Sequence, residues 1–202
     1  MEPRPATGRA GAGRLVVVRH GETAWSRAGR HTGRSDVSLT AAGRRQARAL
    51  SPRLAGDGFA RVLTSPLVRA RETAELAGFA AADVDDDLVE WDYGAYEGRT
   101  SEAIRAARPG WDLWRDGVPD GERLTQVAVR ARRLVTAVRR VDGDVLVFAH
   151  AHILRAVTAC WLGLPASAGA VFSLRPAAVG VLGWERQQPS LLRWDDGGDP
   201  LA

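Results

Sequence analysis

The sequence contains no lysine, so every basic residue is an arginine. With 28 basic and 24 acidic residues the formal net charge is +4, and the isoelectric point is about 10.4. A basic protein can attract nucleic acid, but proteins that bind it usually cluster their positive charge on one face. Here the arginines are interleaved with Asp and Glu along the chain and form no block. We therefore expect no nucleic-acid partner.

Cysteine is nearly absent, and long apolar runs are absent altogether. The single Cys160 excludes an internal disulfide framework and suits a reducing compartment, which predicts a cytoplasmic location. No apolar run has the length needed to cross a bilayer, so we expect no membrane association. The N-terminus lacks the apolar middle segment of a secretory signal. We predict a disordered leader over residues 1–14, a single domain over 15–194 and a flexible tail over 195–202.

The most informative stretch is residues 15–23, which read Leu-Val-Val-Val-Arg-His-Gly-Glu-Thr. Its short apolar run, rich in β-branched residues, predicts a strand that is buried on both faces, as in a parallel sheet. Arg19 and His20 then lie at its carboxyl end, where open α/β sheets bind their ligands. Gly21 allows close approach of the backbone. A guanidinium, an imidazole and free backbone N–H groups together predict a phosphate site.

Two later segments repeat this arrangement of an apolar strand with polar residues after it. Residues 145–149 form a second buried strand that ends at His150. Residues 61–64 form another short strand, and Ser65-Pro66 after it predicts a helix with serine at the N-cap. Arg69 then lies in the first turn of that helix. The carboxyl ends of parallel strands share one edge, so these side chains should meet there.

The alternation of strands and helices predicts an α/β protein, a three-layer α/β/α sandwich with a mainly parallel central sheet. Further helices are predicted over 41–54, 100–107, 122–141 and 153–161. Strand-like residues at 170–175, 178–184 and 190–194 predict an antiparallel addition at the end of the sheet. Segments 24–38 and 89–98 are predicted as loops, and 109–121 as a cap over the site.

The residues at this edge suit phosphoryl transfer. We predict that His20 attacks phosphorus and that Arg19, Arg69 and His150 (if protonated) stabilise the charge on the equatorial oxygens. The second ring nitrogen of His20 should donate to a backbone carbonyl that fixes its tautomer.

A leaving alkoxide also needs a proton. Glu90 is the best candidate donor, because it lies among aromatic residues that could raise its pKa. Asp92 and Glu97 are weaker candidates. Water then attacks the phosphohistidine, with Glu90 as the base.

An ordered set of motifs carries a family resemblance. The set comprises Arg19-His20-Gly21-Glu22-Thr23, Thr32-Gly33, Leu39-Thr40-x-x-Gly43, Ser65-Pro66-Leu67-x-Arg69-Ala70-x-x-Thr73, Glu90-x-x-Tyr93-Gly94, Glu97-Gly98, Gly121-Glu122 and the strand before His150. In these motifs the chain resembles the histidine phosphatase superfamily, in its phosphoglycerate-mutase-like branch.

The resemblance implies a phosphoglycerate-mutase-like fold, a phosphohistidine at His20, a phosphate pocket of Arg19, Arg69 and His150, and Glu90 as proton donor. It also implies that Thr23, Thr32 and Gly33 approach the substrate, and we add Ser26, Tyr93, Ala151 and His152 as candidate substrate contacts. We expect neither a cofactor nor a metal.

Three departures from the family pattern refine this interpretation. Ser26 stands where the family often has asparagine, and Ala151 where it usually has glycine. His152 is predicted to line the pocket. Mutases of the family carry a longer insertion after the Glu-x-x-Tyr-Gly loop, whereas the segment from Gly98 to Gly121 is short here, which favours a phosphatase. The chain is similar to small phosphatases of this branch, including actinobacterial acid phosphatases and sedoheptulose-bisphosphatase-like enzymes.

Three alternatives stay open from the sequence alone. A mutase is one. A metal-dependent hydrolase is the second, because His150-Ala151-His152 is a His-x-His pair. A non-catalytic phosphate-binding module is the third. The expected partner is a small anionic phosphomonoester, and the terminal strands offer an edge for a homodimer.

Overall fold

The computed structural model describes residues 13–56 and 58–197. Its strands are β1 (Leu15–Arg19), β2 (Arg61–Thr64), β3 (Asp83–Val84), β4 (Val145–Ala149), β5 (Val179–Glu185) and β6 (Gln188–Asp196). They form one sheet in the order β3-β2-β4-β1-β5-β6. Strands β1 to β4 are parallel to one another, and β5 and β6 are added antiparallel. The mainly parallel α/β fold predicted from the sequence is therefore confirmed.

Helices and short 3₁₀ turns connect these strands. The α-helices are α1 (Ala24–Arg27), α2 (Ala41–Leu54), α3 (Val68–Leu76), α4 (Ser101–Ala107), α5 (Leu113–Asp116), α6 (Leu124–Val138) and α7 (Ala151–Trp161). The 3₁₀ turns are Asp86–Leu88, Gly94–Tyr96 and Ala166–Val171. Thr40 caps α2, because its side chain accepts from the backbone N–H of Gly43.

The core lies on both faces of the sheet. Alternate residues of β1 and β4 point to opposite sides, because side chains of a strand alternate. Leu15, Val17 and Val147 pack on the side of α6 and α7. Val18 and Phe148 pack on the side of α2 and α3. This burial on both faces explains why the two strands are continuous apolar runs.

The register of the parallel strands brings their carboxyl ends together. Arg19 pairs with Ala149, and Thr64 pairs with Phe148. The residues that follow the three strands are His20, His150 and Ser65. They leave the sheet at one edge, which is where the predicted site lies.

Several local predictions need correction. The 3₁₀ turn Ala166–Val171 reaches into the segment 170–175, where the sequence predicts a strand, and no strand forms there. Ser65 is not a cap, because α3 begins at Val68 after Leu67. The loop at 24–38 contains α1. The segment 89–98 is not only a connecting loop, because Trp91, Tyr93 and Tyr96 are buried in the larger core cluster.

The predicted ends of the chain lie largely outside the described residues. The leader is described only for residues 13 and 14, and the tail only for 195–197. Strand β6 extends to Asp196, so it takes up the first residues of the predicted flexible tail. Among the described residues, no helix combines the length and apolar character that crossing a bilayer requires.

Candidate active site

His20 directly follows β1 and is buried, with 4% of its surface exposed. Its Nδ1 lies 2.7 Å from the carbonyl oxygen of Gly21. A carbonyl can only accept, so Nδ1 carries the proton and Nε2 keeps its lone pair. Burial, together with the charges of Arg19 and Arg69, holds the pKa of His20 well below its usual range. The imidazole is therefore neutral at neutral pH, which is the state a nucleophile needs.

His150 lies beside His20, with the ring centroids 5.2 Å apart. Its Nδ1 accepts from Nε of Arg69 at 3.1 Å, and its Nε2 donates to Oγ of Ser65 at 2.7 Å. Burial and the Arg69 charge hold the pKa of His150 well below its usual range. The alternative in which His150 is protonated therefore does not fit the structure, because Nδ1 already faces an N–H donor.

Arg69 is fully buried, and most of its donors bind the protein. NH1 donates to the carbonyl of Ser35 at 2.8 Å. NH2 donates to the carbonyls of Thr32 and Gly33 at 3.1 and 2.8 Å. A guanidinium has five N–H donors, and these bonds with the one to His150 use four of them. Arg69 thus ties the 32–35 loop to the second histidine and keeps one donor for a ligand.

Arg19 has a donor left over for a ligand. One of its terminal nitrogens donates to the carbonyl of Leu174. Its Nε is buried and has no hydrogen-bond partner among the described residues. A buried guanidinium N–H without a partner is costly, and a phosphate oxygen would satisfy it. This arrangement supports Arg19 as a phosphate ligand.

The backbone after β1 does not provide the free N–H groups that the sequence predicted. The N–H of His20 donates to Ala149, that of Gly21 to Oγ1 of Thr73 and that of Glu22 to the side chain of Gln46. Gly21 is needed for packing, because a Cβ there would lie 2.4 Å from the carbonyl oxygen of Gly43 on α2. These three N–H groups are therefore not free to bind the anion.

Glu90 reaches the same site from the loop after the Asp86–Leu88 turn. Its Oε1 accepts from the backbone N–H groups of Trp91 and Ile153, both at 2.9 Å. Its Oε2 accepts from the backbone N–H of His152 at 3.0 Å. Two of these donors belong to the first turn of α7, where the helix dipole favours a negative charge.

The pKa of Glu90 is shifted in the direction opposite to the prediction. Burial raises it, as the aromatic neighbours suggested, but the favourable interactions with the side chain and the backbone N–H of His152 outweigh burial. The pKa of Glu90 therefore lies well below its usual range. The carboxylate is ionised as the structure stands, so it has to gain a proton before it can act as an acid.

These residues surround a cavity of about 310 Å³ that is partly open to solvent. Among the predicted site residues, the ones that line it are Arg19, His20, Ser26, Thr32, Glu90, Tyr93, Ala151 and His152. Arg69 and His150 are fully buried next to His20. Asp92 binds Arg34 and Glu97 binds the backbone of the 33–35 loop, so neither competes with Glu90 for the acid role.

Two predicted substrate contacts have structural roles instead. Thr23 is fully buried, and its side chain caps α1 by accepting from the N–H of Ser26. The N–H of Gly33 donates to the Glu97 carboxylate at 2.9 Å, and its carbonyl accepts from Arg69. Their polar groups are thus used inside the protein, and their approach to the substrate stays a prediction.

Sequence reasoning missed several residues of the site. Ser65 follows β2 in the way that His20 follows β1, so its position at the strand end was a usable signal. Arg30, His31 and Arg155 also line the cavity. Arg155 is one helical turn after His152, so its position on α7 was readable, whereas no signal marked the other two.

The His-x-His pair does not form a metal site here. His150 contacts Arg69 and Ser65, and Nδ1 of His152 contacts the hydroxyl of Tyr93. In the described ranges, no three His, Cys, Asp or Glu side chains are grouped so that they could hold a metal ion.

Comparison with known proteins places this geometry in a family context. The model of the histidine phosphatase superfamily, branch 1, matches residues 15–197. An acid phosphatase of Mycobacterium tuberculosis is 44% identical over 177 residues, which covers 85% of this chain and 87% of the relative. The sedoheptulose 1,7-bisphosphatase of Saccharomyces cerevisiae is 35% identical, over 75% of this chain and 68% of the relative.

A mutase-named relative and a solved structure add to this picture. A probable phosphoglycerate mutase of Erwinia tasmaniensis is 32% identical, over 82% of each chain. The solved structure of an open reading frame from Mycobacterium tuberculosis superposes with a TM-score of 0.87 at 41% identity. It covers 91% of this chain and 97% of that one.

Proposed function

The chain belongs to the histidine phosphatase superfamily and is a hydrolase of phosphate monoesters, and we propose that it acts through a phosphohistidine on His20. The observation that carries this proposal is the tautomer of His20, whose Nδ1–H is bound by Gly21 so that Nε2 is free. Two guanidinium groups beside that nitrogen supply the charge that a phosphoryl group needs.

In the first half of the reaction, Nε2 of His20 bonds to phosphorus while the ester P–O bond breaks. The unpartnered Nε of Arg19 and the remaining donor of Arg69 bind the phosphoryl oxygens. Positioned donors of this kind contribute about 3–4 kcal/mol each to transition-state stabilisation. The Nε2–H of His150 supplies a further donor when its hydrogen bond moves from Ser65 to the phosphate. Glu90 gives a proton to the leaving oxygen.

In the second half, water attacks the phosphohistidine. Glu90 is then a carboxylate, the state that its hydrogen bonds to α7 favour, and it takes a proton from the water. The P–N bond breaks, phosphate leaves and His20 regains its free Nε2. The same carboxyl group thus serves as acid and then as base.

The substrate class follows from the cavity and the relatives. A cavity of about 310 Å³ with Arg19, Arg30 and Arg155 in its wall suits a small anionic metabolite. Relatives of the chain are named as an acid phosphatase and a sugar bisphosphatase. We infer that the substrate is a small phosphorylated metabolite and that the enzyme is of the acid phosphatase type. The cytoplasmic location, the single domain over 15–194, the lack of a nucleic-acid partner and the homodimer through the terminal strands stay predictions.

The test is to trap the phosphohistidine. The enzyme is mixed with an aryl phosphate, quenched without acid and mapped by mass spectrometry. We expect the phosphate on His20, and we expect His20→Asn to hydrolyse no ester while keeping a native circular dichroism spectrum. A phosphate mapped to His150, or full activity of His20→Asn, would overturn the proposal. A non-catalytic module would release no phosphate in any of these assays.

A mutase activity is the second candidate, because a relative is named as a probable phosphoglycerate mutase. The segment between Gly98 and Gly121 is short, and the cavity is partly open to solvent. Water should therefore reach the phosphohistidine. We expect phosphate release and no isomerisation of phosphoglycerate, even with added bisphosphoglycerate, and steady isomerisation would contradict this.

A further inference from the structure

The general acid of this site lacks an obvious source for its proton. Oε1 of Glu90 accepts two backbone N–H groups, whereas Oε2 accepts one, so Oε2 is the oxygen with a lone pair left to take a proton. The Glu90 side chain is 4% exposed, whereas that of His152 is 19% exposed. The imidazole is therefore the more accessible of the two groups to a proton from the cavity.

His152 lies where it could pass that proton on. Its Nδ1 is 3.7 Å from Oε2 of Glu90 and 2.6 Å from the hydroxyl of Tyr93. A phenol can donate or accept, so it satisfies Nδ1 whether or not this nitrogen carries a proton. Tyr93 is 1% exposed. The phenol thus holds the ring at a fixed distance from the carboxylate.

The surroundings of His152 are set by the elements that pack against it. The charged groups that act on it are Glu90 from its loop, Arg155 from α7 itself and Arg19 from β1. The ring of His31 lies 6.2 Å away, and that of Trp114 from α5 lies 5.7 Å away. Burial lowers the pKa of His152 and the two arginines lower it further, so among these groups only the carboxylate favours the protonated imidazole. A proton on the imidazole is therefore held next to Oε2, and the two groups titrate as a pair.

We propose that His152, held by the hydroxyl of Tyr93, delivers to Oε2 of Glu90 the proton that the leaving alkoxide needs and takes it back in the second half-reaction. His152 contacts the acid and not the reacting atoms, so it is a positioning and proton-transfer residue. This inference rests on the proposed function, because it assigns the proton supply of the same site.

The transfer balances without any further reactant. A small rotation of the ring closes the gap, the Nδ1–H bond of the imidazolium breaks and an Oε2–H bond forms. Glu90 then gives this proton to the ester oxygen as the P–O bond breaks and the bond from His20 forms. In the hydrolysis step, the proton of the attacking water moves to Oε2 and from there to Nδ1.

The leaving group provides the test. A 4-nitrophenolate is a good leaving group and needs no proton, whereas the alkoxide that leaves glycerol 2-phosphate has to be protonated. The measurement is kcat/KM of the full chain for both esters, since this ratio reports phosphoryl transfer to His20. In His152→Asn, Oδ1 can take the place of Nδ1 toward Tyr93, but the amide transfers no proton. We expect the alkyl-to-aryl ratio of kcat/KM to fall about 100-fold, because general acids contribute that order.

Two tyrosine substitutions provide a second test and its control. Tyr93→Phe keeps the imidazole but releases it, and we expect the same ratio to fall about 10-fold, a smaller share of the general-acid effect. Tyr96→Phe removes the only other tyrosine hydroxyl of the chain, and the ratio should not change. Since Tyr93→Phe disturbs no charge, it tests the proposal even if His152→Asn folds poorly.

The outcomes separate this inference from the proposed function. Equal losses on both esters, or a change in KM alone, would show that His152 binds substrate or supports the fold, and would overturn the proposal. An unchanged ratio in His152→Asn would do the same. Activity of His20→Asn toward either ester would instead overturn the proposed function itself.

Discussion

Substituting Arg69 with lysine tests whether this residue supports the site as well as binding phosphate. Lysine keeps the positive charge but replaces a planar fork by one nitrogen with three donors. Arg69 uses its three nitrogens to reach His150 and the carbonyls of Thr32, Gly33 and Ser35. One ammonium nitrogen cannot reach all four acceptors, so Arg69→Lys should release part of the 32–35 loop.

The magnitude follows from the burial of this network. Arg69 is 0% exposed, so water does not replace the lost bonds. A buried acceptor left without a partner costs about 1–3 kcal/mol, and breaking a buried charged network typically costs about 3–5 kcal/mol. We expect Arg69→Lys to lower the free energy of unfolding by about 3–5 kcal/mol. The kcat/KM for an aryl phosphate should fall about 10²- to 10³-fold.

Urea unfolding followed by fluorescence measures the stability change. Arg71→Lys on the same helix is the matched control, because Arg71 is exposed and a surface change costs less than about 0.5 kcal/mol. A stability loss below about 1 kcal/mol, alongside the expected loss of activity, would refute the reasoning. Arg69 would then act on phosphate alone, and its bonds to the loop would contribute nothing measurable.

Three further predictions concern the wall of the site. Burial lowers the pKa of His31 from 6.5 to about 4, so between about pH 7.5 and about pH 5 mainly the unfolded chain binds a proton there. When the pH falls over that range, the wild type should lose about 2 kcal/mol more unfolding free energy than His31→Gln, as measured by urea unfolding. Equal losses in the two proteins would contradict this. Gly33→Ala places a Cβ 2.5 Å from the carbonyl oxygen of Trp91, and should lower stability by about 1–3 kcal/mol, whereas Gly58→Ala, with open space around it, should not. Ser65→Ala removes the acceptor of the His150 Nε2–H and should cost about 1–3 kcal/mol of stability, read from the thermal midpoint. It should also lower kcat while KM stays unchanged.

The fold was predictable because strands buried on both faces of a parallel sheet are continuous apolar runs that can be recognised in the sequence. Residues 15–19 and 145–149 are apolar on both faces, and the structure buries them between two helix layers. The polar residues after such strands share one edge, so His20 and His150 could be placed together before any coordinates were known. The same rule applied to Ser65 would have placed it at the site, but the Ser-Pro pair suggested a helix cap instead.

The parts of the site that escaped prediction depend on contacts between distant segments. The ionisation of Glu90 is decided by backbone N–H groups of α7, which is about 60 residues further along the chain. The groups that bind the N–H groups of Gly21 and Gly33 are side chains equally far from them in sequence. Composition and spacing reveal which residue types are present, but they do not reveal which donors are already satisfied.

The binding of Glu90 to the start of α7 explains how one carboxyl group can serve both halves of the reaction. Backbone donors and the helix dipole stabilise its ionised form, which suits the base that activates water. The same contacts leave it mostly unprotonated, so the first half-reaction needs a nearby group that supplies its proton. The imidazole of His152 lies 3.7 Å from Oε2, is more exposed than Glu90 and is held by Tyr93, which makes it the nearest candidate for that source.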